Sequence, residues 1–167
     1  FNFAVSEKGI IKAISSKNGK QFGEMLEKIY EKYDEITSTY IDAPFLTNHD
    51  QNRIASILQD VEKQKLASSI LLTLPGNPFI YYGEELGMKG SGRDENKRAP
   101  MQWAKDSGMA GMCKGPKDME EFEMMYGTLE EQAEDKNSIY NYYKNAIKLR
   151  HVFPVIARGK TKLYEGF

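Results

Sequence analysis

Apolar residues recur at helical spacing in three parts of the chain. After Gln21 they fall at every third or fourth position, at Phe22, Met25, Leu26, Ile29, Tyr30 and Tyr33. This spacing predicts a helix with one buried face. A second helix is predicted within residues 61–74, where Pro75-Gly76 stops it. A third is predicted after Ser138, a good N-cap residue, and ends shortly before Pro154.

Short apolar runs without helical spacing predict strands before and between these helices. They cover residues 1–5, 41–47 and 79–82, and the third run leads into Gly83-Glu84-Glu85. A succession of strand, helix and strand is typical of a parallel sheet in an α/β protein. The glycine-containing residues 87–115 have few periodic apolar positions and are predicted to form a long loop with a functional role. Beyond the third helix, residues 155–167 are predicted to begin β-structure.

Composition is that of an ordinary globular protein of 167 residues, with 40% hydrophobic and 11% aromatic residues. Lys and Arg number 23 against 24 acidic residues, and this balance favours neither nucleic acid nor an anionic membrane as a partner. No apolar run approaches the roughly 20 residues of a membrane span. The single Cys113 excludes an internal disulfide and a cysteine-based metal cluster. Two distant histidines give no support for a metal, and no cofactor is predicted.

The main candidate for chemistry is a polar cluster after the second predicted strand. Asn48-His49-Asp50 places an amide, an imidazole and a carboxylate there, and Arg53 follows one turn further on. Binding and catalytic residues lie at the carboxyl ends of parallel strands. By itself, the cluster fits a structural hydrogen-bonding role as well as a catalytic one.

Several segments in order carry a resemblance to a known family. Phe45-Leu46-Thr47-Asn48-His49-Asp50-Gln51-Asn52-Arg53 resembles the end of the seventh barrel strand of the α-amylase family of glycoside hydrolases. Residues 75–88 are similar to the eighth strand of that family and the loop after it, and Arg98-Ala99-Pro100-Met101-Gln102-Trp103 to the segment that follows. Residues 138–159 resemble the last barrel helix and the passage into the C-terminal β-domain. The chain is therefore identified as resembling a member of this family.

The resemblance implies an α/β fold, namely the C-terminal portion of a (β/α)₈ TIM barrel over residues 1–153, with the start of a C-terminal β-domain over residues 154–167. The nucleophile and the general acid of the family precede these segments, and residues 1–40 contain neither pattern. The chain also begins without an initiator Met or a signal-like segment. We expect it to be a piece that is inactive alone, that partners with the missing N-terminal part of the same polypeptide, and that can self-associate.

The implied chemistry is retaining hydrolysis of α-glucosidic bonds in starch or malto-oligosaccharides, through a covalent glycosyl-enzyme. Asp50 matches the third catalytic carboxylate of the family, which holds the sugar hydroxyls and favours the distorted, oxocarbenium-like ring. His49 matches a hydrogen-bond donor to the same sugar. Asp94 and Arg98 match positions that bind glucose units on the non-reducing side of the cut, although an ion pair within the loop fits them equally well.

Other interpretations remain open at this point. A transglycosylating relative, active on trehalose or sucrose, would carry the same strand-end motifs. A non-catalytic carbohydrate-binding member would keep the barrel and lose the reaction, and the retention of His49 and Asp50 argues against it. A phosphate cradle over residues 90–98 is rejected because the Walker spacing is absent. Asn48 and Arg53 are expected to hold their loop in shape.

Overall fold

The computed structural model describes residues 1–106, 108–109 and 111–164, apart from the side chain of Glu7. In chain order its α-helices are α1 Phe3–Val5, α2 Lys12–Ser16, α3 Gly19–Ile36, α4 Ile54–Leu58, α5 Val61–Thr73, α6 Asp94–Lys97, α7 Leu129–Glu134, α8 Ile139–Val152 and α9 Pro154–Arg158. A π-helix, Ser6–Ile11, joins α1 to α2, and a 3₁₀ turn covers Glu84–Leu86.

The three helices predicted from apolar spacing are confirmed as α3, α5 and α8. Each begins after a side chain that accepts a hydrogen bond from the backbone N–H three residues later, which satisfies one of the unpaired donors of the first turn. These N-caps are Asn18 at 3.3 Å, Asp60 at 2.8 Å and Ser138 at 3.1 Å. Local sequence therefore sets where all three helices begin.

Three extended segments lie side by side between the helices. In chain order they are the first segment, residues 1–2, the central segment, residues 42–47, and the third segment, residues 77–82. Parallel bridges join Asn2 to Pro44 and Phe45 to Phe79. The backbone N–H of Phe79 donates to the carbonyl of Pro44 at 2.8 Å. The central segment thus lies between the other two. The connection from the first segment to the central one includes α3, and the connection from the central segment to the third includes α5.

The predicted strands are shorter than expected within the described part of the chain. Where strands were predicted over 41–47 and 79–82, the structure forms isolated bridges only. The strand predicted over residues 1–5 is wrong, because α1 begins at Phe3. The Asn2 side chain accepts a hydrogen bond from the backbone N–H of Val5 at 3.2 Å and donates one to Asp42 at 2.9 Å. Asn2 therefore caps a helix while it anchors the chain to the central segment.

The C-terminal part also differs from expectation. Residues 155–158, predicted to begin β-structure, belong to helix α9, which Pro154 starts with the backbone angle that the first helical position requires. Residues 159–164 form no strand, and residues 165–167 lie outside the described residues. The first element after α8 is therefore helical.

The main core lies between the N-terminal helices, α3, α5 and the central segment. Its buried side chains are Val5, Ile10, Ile11, Ile14, Leu26, Tyr30, Leu46, Ile54, Leu58, Ala67, Leu71 and Leu74. On the other side of α5, Arg150 of α8 donates to the carbonyls of Leu72 and Leu74 at 2.9 and 2.6 Å. These carbonyls lie at the end of α5, where helix backbone oxygens need a partner. The packing holds the central segment in place, and the candidate site follows its carboxyl end.

Candidate active site

The turn formed by Asn48, His49 and Asp50 directly follows the central segment. The side-chain oxygen of Asn48 accepts a hydrogen bond from the backbone N–H of Asp50 at 2.9 Å, the local bond that asparagine makes in turns. The side chains of His49 and Asp50 are 60% and 65% exposed. An imidazole and a carboxylate are therefore accessible to a ligand.

The Asp50 carboxylate lies among nitrogen-bearing side chains. Arg98 Nη2 is 3.1 Å from Asp50 Oδ1 and 3.1 Å from Asp94 Oδ2. His49 Nε2 is 3.4 Å from Asp50 Oδ2. The structure thus brings together all four residues that the sequence predicted for the site, and Arg98 bridges the two carboxylates. The loop ion pair between Asp94 and Arg98 is present. Because these pairs are solvent-exposed, they are weak enough for a ligand to replace.

A buried lysine lies beside this exposed group. Lys97 is the last residue of α6, and its side chain is only 8% exposed. Its Nζ is 2.8 Å from Asp94 Oδ1 and donates to the backbone carbonyl of Asp50 at 2.9 Å. The hydrogen bond from Lys97, followed by the charge of Arg98, lowers the pKa of Asp94. The Asp94 carboxylate therefore forms ion pairs with two cations, Lys97 and Arg98.

Arg53 holds the base of the site from inside. It is fully buried, its Nε donates to the carbonyl of Lys97 at 3.0 Å, and its Nη1 donates to that of Tyr82 at 2.6 Å. The guanidinium carbon lies 4.6 and 4.7 Å from the ring centroids of Tyr81 and Tyr82, within the range of cation–π attraction. The expectation that Asn48 and Arg53 shape the loop agrees with these contacts.

Glu84 is the residue that sequence reasoning missed. It is fully buried, and its carboxylate accepts hydrogen bonds from the backbone N–H of Thr47 at 3.1 Å and that of Tyr81 at 3.3 Å. Burial raises its pKa to about 8, because the charged form loses water, while the hydrogen bonds from Thr47 and Tyr81 act in the opposite direction. The available signal was its position just after the apolar strand predicted over residues 79–82. The sequence alone assigned no role to this glutamate.

The side chains of His49, Asp50 and Arg98 lie at the surface. A cleft of about 930 Å³ lies at the other end of the extended segments, where Tyr40, Asp42 and Asn77 are among its lining residues. The described side chains include no group of three or more His, Cys, Asp or Glu residues that could hold a metal ion. No helix in the described part of the chain is long and apolar enough to cross a membrane.

Comparison with known proteins gives a consistent family. The sequence profile described as "Alpha amylase, catalytic domain" matches residues 1–159. α-Amylase 3 of Dictyoglomus thermophilum is 37% identical over 163 residues, which cover 96% of this chain and 32% of that protein. The solved structure of Eubacterium rectale Amy13B is 43% identical, with a TM-score of 0.89, over 96% of this chain and 33% of that one.

This chain belongs to the α-amylase catalytic-domain family. Its fold is therefore that of a TIM-barrel family, in which active sites lie at the carboxyl ends of the strands. The group around Asp50 lies at that end of the central segment. A 4-α-glucanotransferase of Thermotoga neapolitana is also similar, at 38% identity over 107 residues that cover 61% of this chain and 23% of that protein.

This α-amylase-family chain spans about a third of the length of the relatives it matches. The part that they share with it includes the central segment, the third segment and the loops that follow both. The comparisons therefore support the family and the fold.

Proposed function

We propose that the protein to which this chain belongs is a retaining glycoside hydrolase that cleaves α-glucosidic bonds in starch or malto-oligosaccharides. The observation that carries the proposal is the exposed Asp50 carboxylate at the carboxyl end of the central segment, with His49 Nε2 at 3.4 Å and Arg98 Nη2 at 3.1 Å. A carboxylate and an imidazole side by side can bind adjacent sugar hydroxyls. Retaining hydrolysis also requires a nucleophile and a general acid, which we propose come from residues outside this chain.

In this proposal Asp50 contributes electrostatic stabilisation and not bond cleavage. Its carboxylate accepts hydrogen bonds from sugar hydroxyls, and these bonds strengthen as positive charge develops on the ring. His49 donates to the same sugar. Asp94 and Arg98 bind neighbouring glucose units. Their mutual ion pair keeps the two side chains in place when no ligand is bound. Arg98 then exchanges its exposed contact with Asp50 for contacts with the substrate.

The proposal includes a division of the chain. Residues 1–153 form the last strand–helix units of the catalytic barrel, and residues 154–167 lead, through α9, towards a C-terminal β-domain. Catalysis needs groups outside residues 1–167, so the isolated chain is proposed to be inactive. Its partners are an α-glucan or oligosaccharide substrate and the remainder of the same polypeptide.

The test is a product profile of the full-length protein on maltoheptaose, isomaltose and trehalose. We expect shorter malto-oligosaccharides from maltoheptaose, released first as the α-anomer, and no turnover by the isolated chain above buffer. Absence of cleavage of all three substrates by the full-length protein would contradict the proposal. Binding of maltoheptaose without turnover would identify a carbohydrate-binding member instead.

A second candidate function is glucan transfer. The similarity to a 4-α-glucanotransferase favours it, because the same glycosyl-enzyme can react with a sugar hydroxyl in place of water. Products longer than maltoheptaose, formed in proportion to substrate concentration, would identify transfer. Production of glucose and short oligosaccharides alone would support hydrolysis.

A further inference from the structure

The ammonium group of Lys97 is buried next to the residue on which the proposed function depends. Burial of a charge is costly unless it is paired and hydrogen-bonded. Lys97 Nζ has both kinds of partner, the Asp94 carboxylate at 2.8 Å and the backbone carbonyl of Asp50 at 2.9 Å. The second contact ends on the main chain of Asp50, whereas Arg98 contacts its side chain. The two basic residues at the end of α6 therefore hold different parts of Asp50.

The segment that carries Lys97 is attached to the Asp50 loop by hydrogen bonds in both directions. While Lys97 donates to the carbonyl of Asp50, Arg53 Nε donates to the carbonyl of Lys97 at 3.0 Å. The backbone N–H of Arg53 also donates to the carbonyl of Gly90 at 2.9 Å, and that of Gly92 to the Asn52 side chain at 3.0 Å. Residues 90–98 are thus attached to residues 50–53 at both ends, through Gly90 and Gly92 at one end and Lys97 and Arg98 at the other.

Gly90 shows how little room this contact leaves. A Cβ atom at this position would lie 2.3 Å from the carbonyl oxygen of Asn96 and 3.1 Å from Cδ of Arg53. The first neighbour is backbone, so it cannot move aside as a flexible side chain would. The start of the segment is therefore packed against the residue just before Lys97, which limits the positions that Lys97 can adopt.

We propose that Lys97 is a positioning residue, which fixes the main chain of Asp50 so that its carboxylate meets the sugar in one orientation. The proposal rests on the proposed function for its effect on catalysis. Lys97 itself is buried and acts through Asp50, without contact with the substrate. Displacement of a catalytic group by about 1 Å can lower a rate by about 100-fold. Loss of the Lys97 contact should therefore appear in the chemical step.

The experiment compares Lys97→Met with Lys65→Met in the full-length protein. Methionine keeps the length of the side chain and removes its charge and donors. Lys65 is a matched control, because its side chain is 16% exposed and its Nζ is 3.1 Å from Glu62 on the surface of α5. Two quantities are measured for each variant: kcat and KM on maltoheptaose, and amide hydrogen exchange of peptides that cover residues 47–53 and residues 19–36.

For Lys97→Met we expect kcat to fall about 10- to 100-fold with KM changed less than about threefold. Hydrogen exchange should rise in residues 47–53 and stay unchanged in residues 19–36. Lys65→Met should match the wild type in all of these. If Lys97→Met does not fold, Lys97→Gln, whose shorter side chain cannot reach the carbonyl of Asp50, is measured in its place.

Two results would overturn the proposal. One is a kcat within twofold of that of Lys65→Met, and the other is unchanged hydrogen exchange over residues 47–53. If the wild-type protein cleaves no α-glucan, the proposed function fails by itself. The exchange measurement then decides the positioning role alone, since it needs no activity.

Discussion

Glu84 and Thr47 join the carboxyl ends of two neighbouring extended segments. The backbone N–H and the hydroxyl of Thr47 both donate to Glu84 Oε1, at 3.1 and 2.5 Å. Thr47 immediately precedes the Asn48-His49-Asp50 turn, and Glu84 follows the third segment. A single buried carboxyl group therefore fixes where the central segment ends and the candidate site begins.

The raised pKa of Glu84 gives stability a specific dependence on pH. Burial raises this pKa from 4.5 to about 8, so the folded state takes up a proton that the unfolded state releases at a lower pH. The contribution is fully present below about pH 4.5 and is lost as pH rises through about 8. We expect the free energy of unfolding, measured by urea titration at a series of pH values, to fall over this range. In Glu84→Gln, the free energy of unfolding should depend less on pH.

The neighbouring Glu85 provides the control for this measurement. Burial also raises the pKa of Glu85, and its carboxylate accepts a hydrogen bond from the backbone N–H of Gly83 at 2.9 Å. Glu85→Gln therefore reports how much of the slope comes from the second carboxyl group. An unchanged slope in Glu84→Gln would show that Glu84 does not titrate over this range.

The parts of the fold that were predicted correctly depend on short-range sequence signals. Helices α3, α5 and α8 follow from apolar spacing and from the N-cap residues Asn18, Asp60 and Ser138, all of which act within one or two turns. The polar turn after the central segment was also predicted, because its residues are consecutive. The family resemblance marked the distant Asp94 and Arg98 as site residues, and their role in binding stays a prediction.

The parts that were missed depend on contacts between distant residues. Asn2 caps a helix where a strand was predicted, and its side chain is held in place by Asp42, 40 residues away. Glu84 is buried against Thr47 over a separation of 37 residues, and Lys97 reaches Asp50 over 47. An apolar run alone does not distinguish a strand from a short helix. Charged residues in short helical turns, such as Glu84 and Lys97, likewise give no sign of burial until their partners are known.

Replacement of Arg53 should destabilise the protein strongly. Arg53→Met removes the hydrogen bonds to the buried carbonyl of Lys97 and the partly buried carbonyl of Tyr82, and leaves both oxygens without this donor. Hydrogen bonds from charged groups contribute about 1.5–3 kcal/mol each, so we expect the loss of both bonds to lower the free energy of unfolding by about 3–6 kcal/mol in chemical denaturation. Arg93→Met is the control, since Arg93 is exposed and its 3.5 Å pair with Glu95 lies at the surface. Equal effects of the two substitutions would contradict the structural role of Arg53.

Arg98→Ala should affect substrate binding more than bond cleavage. Contacts of Arg98 with a glucose unit would exist in both the ground state and the transition state, so their loss should raise KM and shift the product pattern. The exposed pair between Arg98 and Asp50, at 3.1 Å, is too weak for its loss to be the main effect of the substitution on the kinetics. Steady-state kinetics on maltoheptaose check this, with Arg93→Ala as the control. A large fall in kcat at constant KM would show that Arg98 acts on Asp50 instead.

The isolated chain should self-associate through an exposed aromatic surface. Phe1, Phe3 and Phe79 are 77%, 60% and 48% exposed, and the rings of Phe1 and Phe3 lie 6.0 and 5.0 Å from that of the buried Phe45. Contiguous apolar surface of this kind favours association in water. We expect light scattering to show a mass that rises with concentration, and Phe3→Ser to reduce it. Ile36→Ser, at a position that is 82% exposed, is the control. A stable monomer at all concentrations would rule out this surface as an interface.

The most direct test of the proposed chemistry is Asp50→Asn in the full-length protein. The substitution keeps the shape of the side chain and removes its charge, so it lowers the stabilisation of the positively charged transition state. Loss of a comparable preorganised contact lowers kcat by about 10²–10³-fold, and we expect a decrease of this size in kcat on maltoheptaose.

Thermal stability should change little, because the Asp50 side chain is 65% exposed and its ion pairs lie at the surface. Asp34→Asn is the matched control, since Asp34 also forms an exposed ion pair, with Lys160 at 3.2 Å, at the opposite end of the extended segments. The melting temperature of both variants, measured beside kcat, separates a loss of chemistry from a loss of folded protein. If Asp50→Asn retains the kcat of Asp34→Asn, Asp50 does not stabilise the transition state, and the function proposed for this site is wrong.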